Sequence, residues 1–364
     1  MSRTVGVLGG GQLGRMLGLA GVPLGIRFVF LDPGDAAPAA AVGRHIRSAY
    51  DDHVALDDLA AASNVVTYEF ENVPASSVRH IAPRVEVNPP VEILEIAQDR
   101  LAEKQMLEKA GVPVVPFEHA SSQLEIEDAV ARVGLPAVVK TRRLGYDGRG
   151  QVLIRNRKDV TGVFARLGGR PLIVESFVRF TRELSLIAVR DKDGRTASYP
   201  LVENQHRDGI LRLSLAPAPG LDDALQLRAE THARSLMDSL GYVGVLAVEF
   251  FQTGEDLVAN EIAPRVHNSG HWTIEGADCS QFENHLRAVL GLPLGPTAAR
   301  GHCATINMIG KVPPLESLAA IAGARLHVYG KSLRPKRKVG HVSVCVPDAI
   351  LRDRLVETVR RVVV

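Results

Sequence analysis

Apolar residues in the first ninety positions cluster in short, mostly apolar runs, at 5–8, 26–31 and 65–68. A run of four to six such residues, closed by turn residues, predicts a strand buried on both faces. A glycine-rich turn at 9–14 follows the first run and opens a helix through residue 20. The second run ends at Asp32-Pro-Gly34 and the third at Glu69. Strand–helix–strand alternation with short links predicts a parallel, helix-covered, Rossmann-like sheet over roughly the first 95 residues. Asp99 reads as the N-cap of a helix through residue 110, stopped by Gly111 and Pro113. From there to about residue 299 the texture is strands, glycine-rich turns and two helical stretches, 125–132 and 221–240. Strands are expected at 136–140, carrying Lys140 at its end, and at 172–178. Beyond residues 292–296 a short tail alternates apolar and polar residues, which suits a small β-rich unit closed by a helix from Asp348. The predicted units are 1–98, 99–299 and 300–364.

The densest signal is the segment 244–261. Both flanks are apolar and β-branched or aromatic, and Gly254-Glu255-Asp256 reads as a three-residue hairpin turn. Centred on Glu255, that hairpin sets Glu249 opposite Glu261 on one face. Their Cβ atoms would be ~5 Å apart, and like charges so placed repel. A hard divalent cation such as Mg²⁺, itself bridging substrate phosphates, would resolve the repulsion. The competing reading is a slipped register with one solvent-facing acid and one edge acid.

Composition narrows the field. Hydrophobic residues make up 46% and charged residues 23% of 364, ordinary for a soluble globular protein with real cores. A net charge of +2 argues against a general nucleic-acid binder. The three cysteines form no CxxC pair, so reduced thiols in the cytoplasm are expected. The amino terminus lacks a signal peptide's layout, and no apolar run reaches the ~18 residues of a membrane span.

Several motifs carry candidate chemistry. Gly9-x-Gly11-x-x-Gly14, with Asp32 ending the next strand, has dinucleotide-fingerprint spacing, although the same loop serves any ligand at a parallel sheet's edge. Lys140 precedes a glycine loop holding Gly145, Tyr146, Asp147, Gly148, Arg149 and Gly150, whose free N–H groups suit polyphosphate; a solvated turn is the alternative. Residues 262–272 place Arg265, His267, Asn268 and His271 after a proline, which reads as a functional loop. The two histidines are not a zinc pair, because the HExxH glutamate is missing and the segment is not helical. Residues 331–338 hold five cations with no aromatic residue among them, which favours a phosphate anchor over a single-stranded nucleic-acid patch.

These segments, in this order, resemble the ATP-grasp superfamily and within it the 5-(carboxyamino)imidazole ribonucleotide synthase family. The resemblance rests on 9–16, 68–73, 145–151, 203–211, 260–272 and 335–341, nearly the whole chain, and is most specific over 263–272. It implies an ATP-grasp fold between a parallel-sheet domain and a small β-rich domain. The implied reaction is carboxylation of 5-aminoimidazole ribonucleotide with bicarbonate and ATP, through carboxyphosphate, in purine biosynthesis.

The same resemblance implies roles for individual residues. Glu249 and Glu261 would hold Mg²⁺, and Arg100 and Lys140 would contact ATP phosphates. Glu175, Ser176, Phe177 and Val178 would present backbone to adenine, and Glu183 would take the ribose hydroxyls. His206 and Asn260 belong to the nucleotide site, with Asn260 pointing away under strict pleating. Gly145, Gly148 and Gly150 would close over the phosphates. Arg265, His267 and Asn268 would bind bicarbonate, while Tyr146, Asp147 and Arg149 would meet the aminoimidazole, Asp147 as acid–base. Gln12 and Glu69 would contact the ribonucleotide, Glu69 through ribose hydroxyls, and Lys331, Arg337 and Lys338 would grip its 5′-phosphate. A cytoplasmic homodimer without nucleic-acid or membrane partners is expected.

Two departures from the family pattern stand out. Leu144 occupies a position where a second glycine is expected, and the chain stops soon after its last helix, so the third unit is expected to be short or incomplete. A formate-dependent glycinamide ribonucleotide transformylase, a nicotinamide oxidoreductase and a nucleotide-sensing binding protein are the rival readings.

Overall fold

The computed structural model describes residues 3–145 and 150–363. The first three apolar runs form Thr4–Leu8, Arg27–Leu31 and Val65–Tyr68, with Arg44–Ile46 added at one edge. All pair in parallel, with Thr4–Leu8 between Arg27–Leu31 and Val65–Tyr68. The two predicted helices of this region occupy Gln12–Gly21 and Arg100–Lys109, the second capped by the Asp99 carboxylate accepting from the Leu101 N–H, 3.1 Å. That carboxylate also takes a two-pronged contact from Arg142, at 2.9 and 2.6 Å. One cap thus ties the helix start to the stem of the glycine loop.

A nine-stranded antiparallel sheet forms the centre of the molecule. Its order runs from the hairpin strands Asp256–Ala263 and Gly244–Thr253 through Arg182–Arg190, Val202–Arg207 and Ile210–Ala216. It continues into His302–Ile309, Lys338–Val346 and Ala324–Val328, and the short ninth strand Thr196–Ser198 pairs with Arg182–Arg190 off this path. The strands beyond residue 300 therefore extend the same sheet and add no separate one. A smaller four-stranded antiparallel sheet carries Phe117–Ala120, Leu172–Ser176, Ala137–Thr141 and Gln151–Ile154. The strand expected over 172–178 stops at Ser176, although the Ser176 and Phe177 N–H groups still bond the Pro116 and Pro136 carbonyls at the ends of the flanking strands.

One core cluster joins Val5, Val7 and Leu17 of the parallel-sheet unit to Ile187, Val245, Trp272 and Phe282. A buried imidazole adds direction to that seam. His285 accepts from the Val245 N–H at Nδ1 (3.1 Å), so Nε2 carries the proton toward Thr67 Oγ1 at 2.8 Å. Burial lowers its pKa to about 4, which keeps the ring neutral and the pattern fixed. No helix among the described residues is long and apolar enough to cross a membrane.

The glycine-rich turn binds the protein itself. Both oxygens of the Glu69 carboxylate accept from this turn, from the N–H of Gly11 and from that of Gly14 at 2.6 Å. Asp32 takes the Gly10 N–H at 2.8 Å and the Tyr50 hydroxyl at 2.9 Å. The two acids a dinucleotide would have found free are committed, and the space its pyrophosphate needs holds Glu69. This overturns the nicotinamide reading of the fingerprint. The glycines are needed for the same contact: a Cβ at Gly9 or Gly11 would overlap the Glu69 side chain, and Gly9 has φ +112°. Gly9→Ala is expected to cost roughly 1–3 kcal/mol of stability, read as a lower urea midpoint. An unchanged midpoint would show that the turn has room to relax.

Candidate active site

The hairpin register matches the sequence argument, by a different route. The turn has two residues, Gly254 and Glu255, with Gly254 at φ +64°, and Thr253 pairs with Asp256. Uninterrupted, that register would set Glu249 opposite Asn260. A β-bulge follows Phe250↔Ala259, leaves Asn260 as the extra residue and restores Glu249↔Glu261. The bulge also brings Asn260 into the lining of the cavity beside both acids, which strict pleating would have denied it.

Two side chains hold this bulge from the helix Arg100–Lys109, and the sequence reading did not single them out. Buried Lys104 donates from Nζ to the carbonyls of Ala259 and Asn260, 3.0 and 2.8 Å. Buried Glu103 accepts from the Ile262 N–H at 2.6 Å. Both sides of the irregularity are thereby pinned. A signal existed: Arg100, Glu103 and Lys104 recur at i, i+3 and i+4 and so share one helix face.

Charge at the site is arranged in opposed pairs. Burial, then the Glu261 carboxylate, raises the Glu249 pKa. His267 Nε2 lies 3.4 Å from Glu249 Oε1. Lys140 Nζ contacts Glu175 Oε2 at 2.7 Å. Burial opposes ionisation of Glu175, but Lys140 and Lys104 together hold its carboxyl below the usual range. Glu183 contacts His206 Nδ1. Burial alone would lower the His206 pKa, and the Glu183 contact outweighs it and raises it. Arg265 donates from Nε to Glu71 Oε2 at 2.6 Å, so one edge of its guanidinium is committed to a partner not foreseen. Arg100 donates to the Thr141 and Gly145 carbonyls, 3.1 and 2.7 Å, and so braces the loop stem.

A cavity of about 500 Å³ gathers most of the expected residues. Arg100, Lys140, Gly145, Glu175–Val178, Glu183, His206, Glu249, Asn260 and Glu261 line it, with Phe177, Phe180 and Phe251 as its apolar wall. A second chamber of about 200 Å³ is lined by Gln12, Glu69 and Phe70. Glu71, Arg265, His267, Asn268 and Lys338 line both. Asn268 is notable among them, because neither its Oδ1 nor its Nδ2 has a hydrogen-bond partner among the described residues although both are buried. Such groups are rare unless a ligand or water completes them.

Other expected residues fall elsewhere. Lys331 and Arg337 line neither chamber; Lys331 sits near enough to Glu69 and Asp32 for their charges to act on it. Arg337 donates to the Ser332 carbonyl at 3.3 Å. Gly150 closes the loop stem, its carbonyl accepting from the Thr141 N–H at 2.8 Å. Tyr146, Asp147, Gly148 and Arg149 lie outside the described residues. Leu144, where a glycine was expected, has φ +63°, the left-handed conformation that favours glycine. Its side chain is exposed, so the backbone alone bears the strain of that substitution.

Family models and solved relatives agree with this geometry. Residues 1–98 match a ribonucleotide synthetase preATP-grasp domain and 105–282 an ATP-grasp domain. Residues 303–350 match a phosphoribosylaminoimidazole carboxylase C-terminal domain. The chain is 54% identical over 354 residues to the N5-carboxyaminoimidazole ribonucleotide synthase of Pseudomonas aeruginosa, covering 97% of this chain and 98% of that one. It is 45% identical to that of Brucella melitensis, over 95% and 97%. The crystal structure of the synthetase from Thermus thermophilus superposes with a TM-score of 0.95 at 53% identity, over 99% and 98% of the two chains. The Aspergillus clavatus enzyme in complex with ADP and 5-aminoimidazole ribonucleotide does so at 0.91 and 33%, over 99% of each. The chain belongs to the N5-carboxyaminoimidazole ribonucleotide synthase family, an ATP-grasp ligase family.

Proposed function

We propose that the protein carboxylates 5-aminoimidazole ribonucleotide with bicarbonate, at the expense of ATP, to give N5-carboxyaminoimidazole ribonucleotide, ADP and phosphate. One observation carries this reading: Arg265, His267 and Asn268 line both chambers at once, between the acid pair and the Glu69 side. Three substrates need that layout. ATP fits the larger chamber, with adenine on the Glu175–Val178 edge against the aromatic wall, ribose at Glu183 and phosphates toward Lys140 and the glycine loop. The ribonucleotide fits the smaller one. Bicarbonate belongs at the partition, where Arg265, His267 and the unpartnered Asn268 amide can bind its oxygens.

The donor set suits Mg²⁺. Two facing carboxylates, one with its pKa raised by the other, are costly without a counter-ion. The described residues contain no group of three or more His, Cys, Asp or Glu side chains able to hold a metal. Magnesium takes one or two carboxylates and completes its shell from phosphates and water. When bound, the cation supplies charge neutralisation at the transferred phosphoryl group. The protein's own residues do the remainder. Lys140 and the glycine loop orient the triphosphate, and the partition holds bicarbonate for attack on the γ-phosphorus. Carboxyphosphate formed there faces the amine in the second chamber, and closure of the loop would keep water from it. Tyr146, Asp147 and Arg149 are assigned to the aminoimidazole by family resemblance alone. Lys331, Arg337 and Lys338 are assigned to the 5′-phosphate by family resemblance and by their charge. A cytoplasmic homodimer completes the reading and rests on family membership.

Glu261→Gln is expected to cut bicarbonate-dependent ADP release by about 100-fold or more, without lowering the thermal unfolding midpoint, since it removes a repulsion. Wild-type turnover would rule out the acid pair. Burial, with Arg337 beside it, lowers the Lys331 pKa to about 8. Its ammonium is charged below that pH and lost above it. The ribonucleotide KM should therefore climb as pH passes 8 while the ATP KM does not follow, and Lys331→Arg should flatten the climb. Parallel changes in both KM values would remove Lys331 from the phosphate site.

A further inference from the structure

The loop carrying His267 is backed by four small polar residues buried in the protein interior. Ser185 pairs directly with Glu249 across the central sheet, and Asn204 pairs with Ser214 two strands away. With Ser269 of the loop, all four are buried. Hydroxyl and amide groups are costly there unless partnered. They partner one another. Ser214 Oγ donates to Asn204 Oδ1 (2.8 Å), Asn204 Nδ2 donates to Ser185 Oγ (2.9 Å), and Ser185 Oγ donates to Ser269 Oγ (2.7 Å). Ser269 Oγ lies 2.9 Å from His267 Nδ1.

A hydroxyl has a single proton. Ser185 Oγ accepts from the Asn204 amide and donates to Ser269 Oγ, which leaves the Ser269 proton available to the ring. A second constraint does not depend on how the Asn204 amide is oriented. The backbone N–H of Ser269 also points at His267 Nδ1, at 3.3 Å, and a backbone amide can only donate. Two donors converge on one ring nitrogen, which must accept. An imidazole keeps at least one N–H, so with Nδ1 accepting, the proton is on Nε2.

We propose that Ser185, Asn204, Ser214 and Ser269 are positioning residues that fix His267 with its proton on Nε2, so that it enters the bicarbonate site as a hydrogen-bond donor and not as a base. The Nε2–H faces Glu249 and the cavity. A donor there stabilises charge on a bound oxyanion and takes no proton from it. It also leaves the metal to the two carboxylates, since the protonated nitrogen has no lone pair to give. The catalytic consequence rests on the reading of the site given above; the tautomer does not.

Long-range proton–nitrogen NMR on enzyme labelled with ¹⁵N-histidine, with His267 assigned through H267Q, reads the tautomer in the free protein. An unprotonated Nδ1 and protonated Nε2 are expected, and Nδ1–H in the wild type overturns the proposal. Ser185→Ala frees the Ser269 hydroxyl to accept and leaves Nδ1 with the longer backbone N–H, so a fraction of the Nδ1–H form should appear beside the Nε2–H form and kcat/KM for bicarbonate should fall roughly tenfold, with the ATP KM in place; a tautomer ratio and kcat/KM both unchanged would remove the line from this role. Glutamine can set an amide N–H near the Nε2 position. His267→Gln should therefore retain at least about tenfold more activity than His267→Ala. Equal losses in two folded variants would count against the donor role. Absence of bicarbonate-dependent ADP release in the wild type would instead sink the functional reading and leave the NMR result standing.

Discussion

Two carboxylates opposed across neighbouring strands are unfavourable unless a cation joins them, and the rest of the site is arranged around that fact. Glu249 and Glu261 face each other only because a bulge displaces Asn260. Bulges cost ladder hydrogen bonds, so one that persists is held from outside. Here the clamp is the first turn of the helix Arg100–Lys109, through Glu103 and Lys104. The same turn is capped by Asp99, which grips Arg142 at the base of the glycine loop. The acid pair and the loop that would close over phosphate are thus set by adjacent residues of one helix end.

The parallel-sheet domain contributes a wall of the smaller chamber, not a dinucleotide site. Its glycine turn has the geometry of an anion cradle, and the anion is the protein's own Glu69. Burial raises the Glu69 pKa, while the two backbone donors and the charge of Lys331 pull the other way. A carboxylate so held is a rigid fixture with lone pairs left over. That is a useful property in a side chain lining the smaller chamber. Through His285 and the shared apolar seam, the wall is fixed relative to the central sheet.

Much of this was legible in the residues, and the exceptions have physical reasons. The strands at 5–8 and 65–68 and the Asp99 cap follow from local patterns that tertiary structure did not override. The Glu249–Glu261 pairing was inferred from a three-residue turn; a two-residue turn and a bulge reach the same register, and spacing alone does not distinguish them. Lys104 escaped notice because lysines are almost never fully buried, and only the carbonyls exposed by the bulge make its burial tolerable. The Ser185–Asn204–Ser214 line was invisible for a simpler reason. Its members lie on three strands, and each alone is an unremarkable polar residue. Leu144 went the other way: the missing glycine was visible in the sequence, and the positive φ confirms why one was expected.

Hydrogen-bond donors gather at the partition, where the shared acid Glu71 is held by Arg265. The acids capable of holding a cation lie in the larger chamber. The groups shared with the smaller chamber include the Arg265 guanidinium and the Asn268 amide, both able to donate. With its proton on Nε2, His267 joins the donor side. Bicarbonate and a terminal phosphate are both anions, so bringing them within bonding distance is the electrostatic problem that any such enzyme must solve. A basic imidazole at the partition would add a lone pair where negative charge is already crowded. A neutral donor adds the opposite polarity without a second full charge beside Arg265, which would itself be costly at that depth. The buried hydroxyl line is therefore consistent with the chemistry: it fixes the sign of the dipole that His267 presents to an oxyanion.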